Sequence, residues 1–548
     1  YGLHQLGLER PWLHQAEAIN AIAAGAHVVV ATGTGSGKTL CYNIPVLEAA
    51  ARDPRSRALY LFPTKALAHD QLRALGELAQ AALPLLRFGT YDGDTPAAAR
   101  SQLRKSAHVI LTNPDMLHVG ILPNHSLWAD FFRHLRFVVL DEAHHYRGVF
   151  GSQVACVLRR LRRICAYYGA QPQFIACSAT IANPAQHLHL LSGLDVVVVD
   201  DEGSPRGPRK FILWNPPFLD RTHMARRSAN IEATSLFVEL VRQGVRNITF
   251  ARARKVAELI LLYARQTLQK AEPALAERIR AYRAGYRPEE RRAIERGVAK
   301  GEIIGVTATN ALELGVDIGG LDAVVMVGYL GTVASLWQQA GRAGRSSQES
   351  LAILIGLDTP LDQYFMRHPH DLFGRPLEQA LIDPDNVYIL ERHLPCAAHE
   401  LPLRVENEPG GLSDAALFGP GFEEAMVNPE ERETLHYRGD RWTYTGTDYP
   451  AQHVSLRAVG SRRIAILDEG DNYRTLEEVE ASTATFRVHP GAIYLHQGDA
   501  YQVMELNLEA GHAIVRRAEI DWYTQPREVN DVRIVRSLSH QALPTTTA

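Results

Sequence analysis

The 548-residue chain predicts an α/β protein: two doubly wound parallel-sheet domains in tandem, then a smaller mixed segment and a β-rich end. Three observations carry this reading. Residues 1–205 alternate short apolar runs (HVVVAT, ALYLFP, HVILTN, FVVLDE, QFIACS, DVVVVD) with amphipathic stretches. Continuous apolar strands between helices mark a parallel sheet covered on both faces. The alternation restarts after the linker-like DDEGSPRGPRK, over 206–380, with NITFA, IIGVTA, AVVMVG and LAILIG. Past that point the style changes: 381–450 mixes short helices with a W-T-Y-T strand, and 451–548 carries strands with Gly-Asp turns such as HQGDAYQV.

Composition narrows the function classes. A hydrophobic fraction of 46% with 22% charged residues is that of a soluble globular chain, and a formal net charge of −3 excludes a polycationic tail. Any nucleic-acid contact then has to come from local basic stripes. The basic run RRLRR at 159–163 is one candidate, although a solvated helix face is the better reading of it. Cysteines 41, 156, 165, 177 and 396 form no C-x-x-C pair. No zinc site and no disulfide framework are expected, and a reducing cytoplasm is. YGLHQLGLERPWLHQ has no apolar leader core, and the longest apolar stretch, 323–334, is glycine-broken, so no membrane partner is expected. The chain begins at Tyr1 and stops at ALPTTTA, which reads as trimmed ends.

ATGTGSGKT at 31–39 lies between the strand HVVV and a helix. Glycines at 33, 35 and 37 let successive N–H groups turn inward around a phosphate; Lys38 offers charge to the β/γ oxygens, and the Thr39 hydroxyl suits Mg²⁺. The strict phosphate-loop pattern is broken by Thr32 at the first glycine position. FVVLDEAHH at 137–145 is the complement: a buried strand delivers Asp141 and Glu142 to its C-terminal end, where such sheets hold ligands. Asp141 is expected to hold Mg²⁺, through water, and Glu142 to polarise the attacking water. The pattern QQAGRAGR at 338–345 sets two arginines beside glycines, as if backbone passed close to an anion.

With PTKALA (63–68), TNPD (112–115), DEAH (141–144), SAT (178–180) and TATNALELGVDIG (307–319), the chain resembles superfamily 2 helicases of the DEAH/DEXH-box class. YRGVFGSQVACVLRRLRR, DQYFMRHPHDLFGRP, NVYILERHLPCAAHELPL and HPGAIYLHQGDAYQV narrow the resemblance to MrfA/YprA-type bacterial DNA helicases, with fungal Hrq-type helicases as relatives. That family ends in a four-cysteine metal-binding domain, none of which is in this sequence. The resemblance implies RecA-like domains at 1–205 and 206–380, a winged helix at 381–450 and a small β domain at 451–548.

It also implies site roles. ATP sits on Thr34, Gly35, Ser36, Gly37, Lys38 and Thr39, with Gln15 at the adenine edge and Asp317 at ribose or the catalytic water. Arg342 and Arg345 are arginine fingers from the second domain, and Gln338 stands near the γ-phosphate or attacking water. His144 bridges the domains, unless it is a buried structural histidine, and Ser178 and Thr180 couple hydrolysis to domain movement. A strand is gripped by Thr64, Lys65, Gly93, Asp94, Thr95, Thr112 and Asn113 on the first domain, and by Arg252, Thr307, Thr309 and Asn310 on the second. The implied activity is ATP-dependent 3′→5′ DNA unwinding in repair, with single-stranded or 3′-tailed DNA as partner, in the bacterial nucleoid. An RNA helicase and a non-unwinding translocase are the alternatives. Aromatics Trp442, Tyr494 and Tyr501 are read as core rather than base-stacking residues.

Overall fold

The computed structural model describes residues 4, 7, 9–205, 207–220, 225–283, 285–312, 320–344, 349–374, 377–404, 413–431, 434–457, 463–497, 499–520 and 522–524. Among these, residues 1–461 and 462–548 contribute to two compact units.

The first unit opens with a seven-stranded sheet ordered β3-β4-β2-β5-β6-β1-β7. Its strands are β1 (Val28–Ala31), β2 (Arg57–Leu61), β3 (Phe88–Thr90), β4 (Val109–Thr112), β5 (Leu135–Leu140), β6 (Gln173–Ser178) and β7 (Val197–Val199). Each neighbouring pair runs parallel. Val28 and Val30 join one buried cluster with Tyr42 and Val46, while Val29 faces the opposite cluster with Leu140 and Phe174. Apolar side chains pack on both faces, which is why these strands read as unbroken apolar runs rather than alternating ones. The strand order sets β1, β6 and β5 side by side. The C-terminal ends that carry ATGTGSGKT, SAT and DEAH therefore share one edge, with PTK after β2 and TNPD after β4 beyond them.

The second sheet is six-stranded, β12-β13-β11-β14-β15-β8, and also parallel. It uses β8 (Arg209–Trp214), β11 (Asn247–Ala251), β12 (Ile279–Tyr282), β13 (Gly305–Ala308), β14 (Ala323–Val327) and β15 (Ser350–Ile355), with a side hairpin of β9 (Phe218–Asp220) and β10 (Ala225–Arg226). The apolar stretch at 323–334 divides into β14, a turn, and the start of helix Val333–Ala340.

Helices Val387–Glu400, Asp414–Phe418 and Phe422–Glu431 and the hairpin β16 (Leu435–Arg438)–β17 (Arg441–Tyr444) follow. They dock on helix Gly148–Tyr167, and here the basic run departs from expectation. RRLRR is neither a solvated face nor a nucleic-acid stripe. Arg160 is fully buried; its Nε donates to Glu400 Oε2 at 3.1 Å, and its Nη1 reaches His118 Nδ1 at 2.7 Å and His393 Nδ1 at 3.3 Å. Arg159 pairs with Asp385 at 3.0 Å and Arg163 with Asp414 at 2.6 Å. Three of the four arginines, Arg159, Arg160 and Arg163, stay charged inside the protein because the docked segment supplies carboxylates and carbonyls at each, while Arg162 donates to the carbonyls of Ser192 and Gly193 in the first domain. Trp442 packs against the cluster around Leu390 and Phe418.

The second unit holds a five-stranded mixed sheet, β19-β18-β22-β21-β20, from β18 (Arg463–Asp468), β19 (Arg474–Glu480), β20 (Ile493–His496), β21 (Asp499–Asn507) and β22 (His512–Arg517). Tyr494 and Tyr501 lie in its core with Ile464, Ile466 and Val515, as the default reading expected. The five cysteines are buried, and among the described residues no helix is long and apolar enough to cross a membrane.

Candidate nucleotide site and nucleic-acid interface

The phosphate loop leaves β1 and enters helix Thr39–Arg52 through left-handed glycines, Gly35 at φ 83° and Gly37 at φ 70°. A side chain at 37 would also collide: its Cβ would stand 2.8 Å from Gln15 Nε2 and 2.9 Å from the Trp12 ring. Lys38 Nζ folds back to donate to the carbonyls of Thr32 (2.9 Å) and Gly33 (2.7 Å). Thr32 Oγ1 meets Ser36 Oγ at 2.7 Å, so the residue that breaks the glycine pattern closes the loop on itself.

Gln15 is buried behind this loop. Its Nε2 donates to Gly37 O and its Oε1 accepts from Trp12 N–H, both at 2.9 Å, and it is 2% exposed. Here the amide braces the phosphate loop from within. His14, which sequence reasoning missed, does the same. It is fully buried, with Nε2 at 2.9 Å from Ser36 O and Nδ1 accepting from Gly203 N–H at 3.4 Å. Burial lowers its pKa. Also missed was Glu202 of the linker, whose Oε2 accepts from Gly33 N–H at 2.9 Å. A lone histidine and a linker glutamate have no spacing that marks them; only its place inside WLHQ hinted at His14.

Asp141 directly follows β5, with its backbone N–H on Leu61 O at 3.0 Å. Its carboxylate accepts from Tyr42 OH at 3.3 Å and from Glu142 N–H at 3.0 Å. Burial, then the charge of Glu142, raises its pKa well above the usual carboxylate range. Glu142 adopts φ 49°, a left-handed conformation that a residue with a Cβ holds only under constraint. His144 Nδ1 accepts from Ala179 N–H at 3.0 Å, and its Nε2 faces the side-chain amide nitrogen of Gln338 at 2.5 Å. Burial, then the charge of Lys38, holds this imidazole neutral, with a pKa near 3. Both readings of His144 are thus present in one residue: it is buried, and it touches the second domain. Ser178 is buried with its Oγ on Ala179 O at 2.6 Å, while Thr180 is exposed in the cleft.

A cavity of about 730 Å³ is lined by Thr34, Gly35, Ser36, Gly37, Lys38, Thr39, Asp141, Glu142 and, from the second domain, Arg342. A neighbouring cavity of about 510 Å³ adds Thr180, Glu202, Trp337 and Gln338. The glycines of QQAGRAGR now have a cause. A Cβ on Gly341 would stand 3.0 Å from Trp337 O and 3.4 Å from Thr34 Cβ, and Gly344 takes φ 78°. Arg342 is 2% exposed. Arg345 and Asp317 lie outside the described residues. Thr39 and Asp141 offer hard oxygen donors in one cleft, and a divalent cation beside Asp141 would offset the two adjacent carboxylates, so these residues fit Mg²⁺.

On the expected nucleic-acid face, Lys65 Nζ, Asp94 Oδ1 (3.2 Å) and Gly93 come together. Thr64 caps helix Lys65–Ala82 by accepting from Leu67 N–H, and Asn113 accepts from Met116 N–H at 2.8 Å. Thr95 Oγ1 donates to Thr90 O at 3.0 Å. Arg252 pairs with Asp362 at 3.4 Å; Thr309 is buried and Asn310 exposed. Thr112 and Thr307 depart from expectation, since both are inside the sheets, Thr112 with its hydroxyl on Tyr91 O at 2.6 Å. Neither presents its side chain at the surface.

Residues 12–188 match the DEAD/DEAH box helicase family, 232–347 the helicase conserved C-terminal domain, and 382–459 the winged helix domain of ATP-dependent helicase HRQ1. The ATP-dependent helicase YprA of Bacillus subtilis is 45% identical over 524 residues, 95% of this chain and 69% of that one. The chain belongs to the YprA-type family of ATP-dependent helicases. The ATP-dependent helicase HRQ1 of Saccharomyces cerevisiae is 39% identical over 556 residues, covering 98% of this chain and 50% of its own length. The crystal structure of the DUF1998 helicase MrfA bound to DNA and AMPPNP superposes with a TM-score of 0.90 at 44% identity, covering 97% of this chain and 73% of that one. Membership makes the chain an ATP-hydrolysing helicase.

Proposed function

We propose that the chain moves 3′→5′ along single-stranded DNA and unwinds 3′-tailed duplexes by hydrolysing ATP, acting in DNA repair in the bacterial nucleoid. The observation that carries the reading is the composite cleft, in which Arg342 and Gln338 of the second domain face Lys38, Glu142 and His144 of the first. The MrfA relative, bound to DNA, supports the choice of partner.

In this reading the N–H groups of Thr34–Thr39 cradle the ATP phosphates. Lys38 exchanges the Thr32 and Gly33 carbonyls for β/γ oxygens, and Gly33 N–H exchanges Glu202 for phosphate. Thr39 and Asp141 would hold Mg²⁺, which when bound neutralises phosphate charge. Glu142, kept in place by its left-handed backbone, accepts the proton of the attacking water. Arg342 and Arg345 donate to charge that develops on the transferred phosphoryl, and Asp317 serves ribose or the water. Because Gln338 meets His144, and His144 meets the SAT turn at Ala179, closure of the domains is felt at Ser178 and Thr180. The strand lies along Thr64, Lys65, Gly93, Asp94, Thr95 and Asn113, and across to Arg252, Thr309 and Asn310, gripped by its backbone.

Strand displacement from 3′-tailed, 5′-tailed and all-RNA forks, with ATP, tests this. Only the 3′-tailed DNA fork should open in the wild type, and Glu142→Gln should bind ATP yet open none. Preference for the 5′ tail overturns the polarity, preference for RNA overturns the partner, and ATPase without displacement leaves a translocase.

A further inference from the structure

Arg457 stands beyond the winged-helix hairpin, far in sequence from every motif above, yet it grips two of them. Its Nε donates to Asp115 Oδ2 of TNPD at 2.8 Å, and its Nη2 donates to Pro63 O, the start of PTK, at 2.5 Å. The guanidinium lies over the Phe150 ring, 4.4 Å from its centroid, on the helix that follows DEAHHYRG. The residue before it, Leu456, is buried in the core of the first domain, so the arginine is delivered from an anchored backbone. As a stability device this arrangement is poor. Arg457 and Asp115 are 42% and 41% exposed, and exposed ion pairs are worth little. What the planar fork does well is geometric: one rigid group fixes the spacing between two loops and the DEAH-proximal helix.

We infer that Arg457 is a positioning residue for the strand track, one that holds the Pro63–Lys65 and Thr112–Asp115 loops in the register that grips a nucleic-acid backbone. The inference rests on the proposed DNA reading of those loops. It gives the end of the winged-helix region a task in binding: tying that region to the grip of the first domain.

The test is ATPase activity of the whole chain titrated with oligo-dT, in wild type, Arg457→Ala, Arg457→Lys and Asp115→Asn. Arg457→Ala should raise the half-saturating oligo-dT concentration about tenfold, with the rate at saturation within about twofold of wild type. Its melting temperature and the salt slope of binding should be unchanged. Arg457→Lys should rescue little, because an ammonium cannot bond both loops and stack; Asp115→Asn should shift affinity in the same direction. Full rescue by lysine, or a salt slope smaller by about one, would mean a direct phosphate contact and overturn the positioning role. Wild-type half-saturation in Arg457→Ala also overturns it. Absence of any oligo-dT stimulation in the wild type would instead overturn the DNA reading beneath.

Discussion

His144 and Gln338, 194 residues apart, meet side chain to side chain at 2.5 Å, and through them the DEAH strand end touches the helix that leads into QQAGRAGR. Both are buried. If this contact carries domain closure to the phosphate loop, Gln338→Ala should bind nucleotide as wild type does while kcat falls about tenfold or more. His144→Ala should fall by a similar factor, and the double variant by no more than either, because one link is being cut. Nucleotide titration and steady-state ATPase on the same samples decide it; additive losses would separate the two residues.

Arg342 lines the phosphate-loop cleft from the opposite domain. Arg342→Ala should leave nucleotide affinity nearly intact and lower kcat roughly a thousandfold, the scale of an arginine finger. Arg342→Lys should recover little, since a point charge lacks the planar fork. Near-normal turnover in either variant would remove Arg342 from the chemistry.

Arg160 and Glu400 pair with side-chain exposures of 0% and 1%. Removing one partner strands the other charge in the interior, so Arg160→Ala should cost about 3–5 kcal/mol of stability. Replacing the pair with apolar residues, Arg160→Met with Glu400→Leu, should restore most of it. Denaturant unfolding of the three proteins gives the comparison. A single variant as stable as wild type would mean that the pair does not hold the winged helix to the first domain.

The same network predicts acid sensitivity. His118 and His393 both accept from Arg160, and burial, with neighbouring positive charge, depresses their pKa values, His118 to about 3. Their folded values lie below the unfolded 6.5, so the unfolded chain takes up protons first. The contribution is complete above about pH 6.5 and is lost as pH falls below it, at about 1.4 kcal/mol per pH unit for each imidazole. Melting curves at pH 7.5, 6.5 and 5.5 should be level between the first two and drop at the third. A midpoint unchanged at pH 5.5 would contradict neutral imidazoles at these positions.

Much of the molecule was legible in the sequence because the features that specify it are local. Unbroken apolar runs between helices mark a parallel sheet, and ATGTGSGKT needs its glycines for a backbone that only glycine adopts. The placement of Asp141 and Glu142 was legible too, since a buried strand must deliver whatever follows it to the sheet's edge. What could not be read is where side chains on distant segments end up. RRLRR has the composition of a solvated face, and only the docking of Glu400, Asp385 and Asp414 makes it interior. That the Gln15 amide bonds Trp12 and Gly37 behind the phosphate loop could not be read either. Thr112 and Thr307 look like surface hydroxyls until the sheets close over them. His14, Glu202 and Arg457 carry no motif at all. Local chemistry determines which backbone a segment can adopt. Burial and pairing are set by whichever segment arrives opposite, and that is decided only when the sheets and the docked helices assemble.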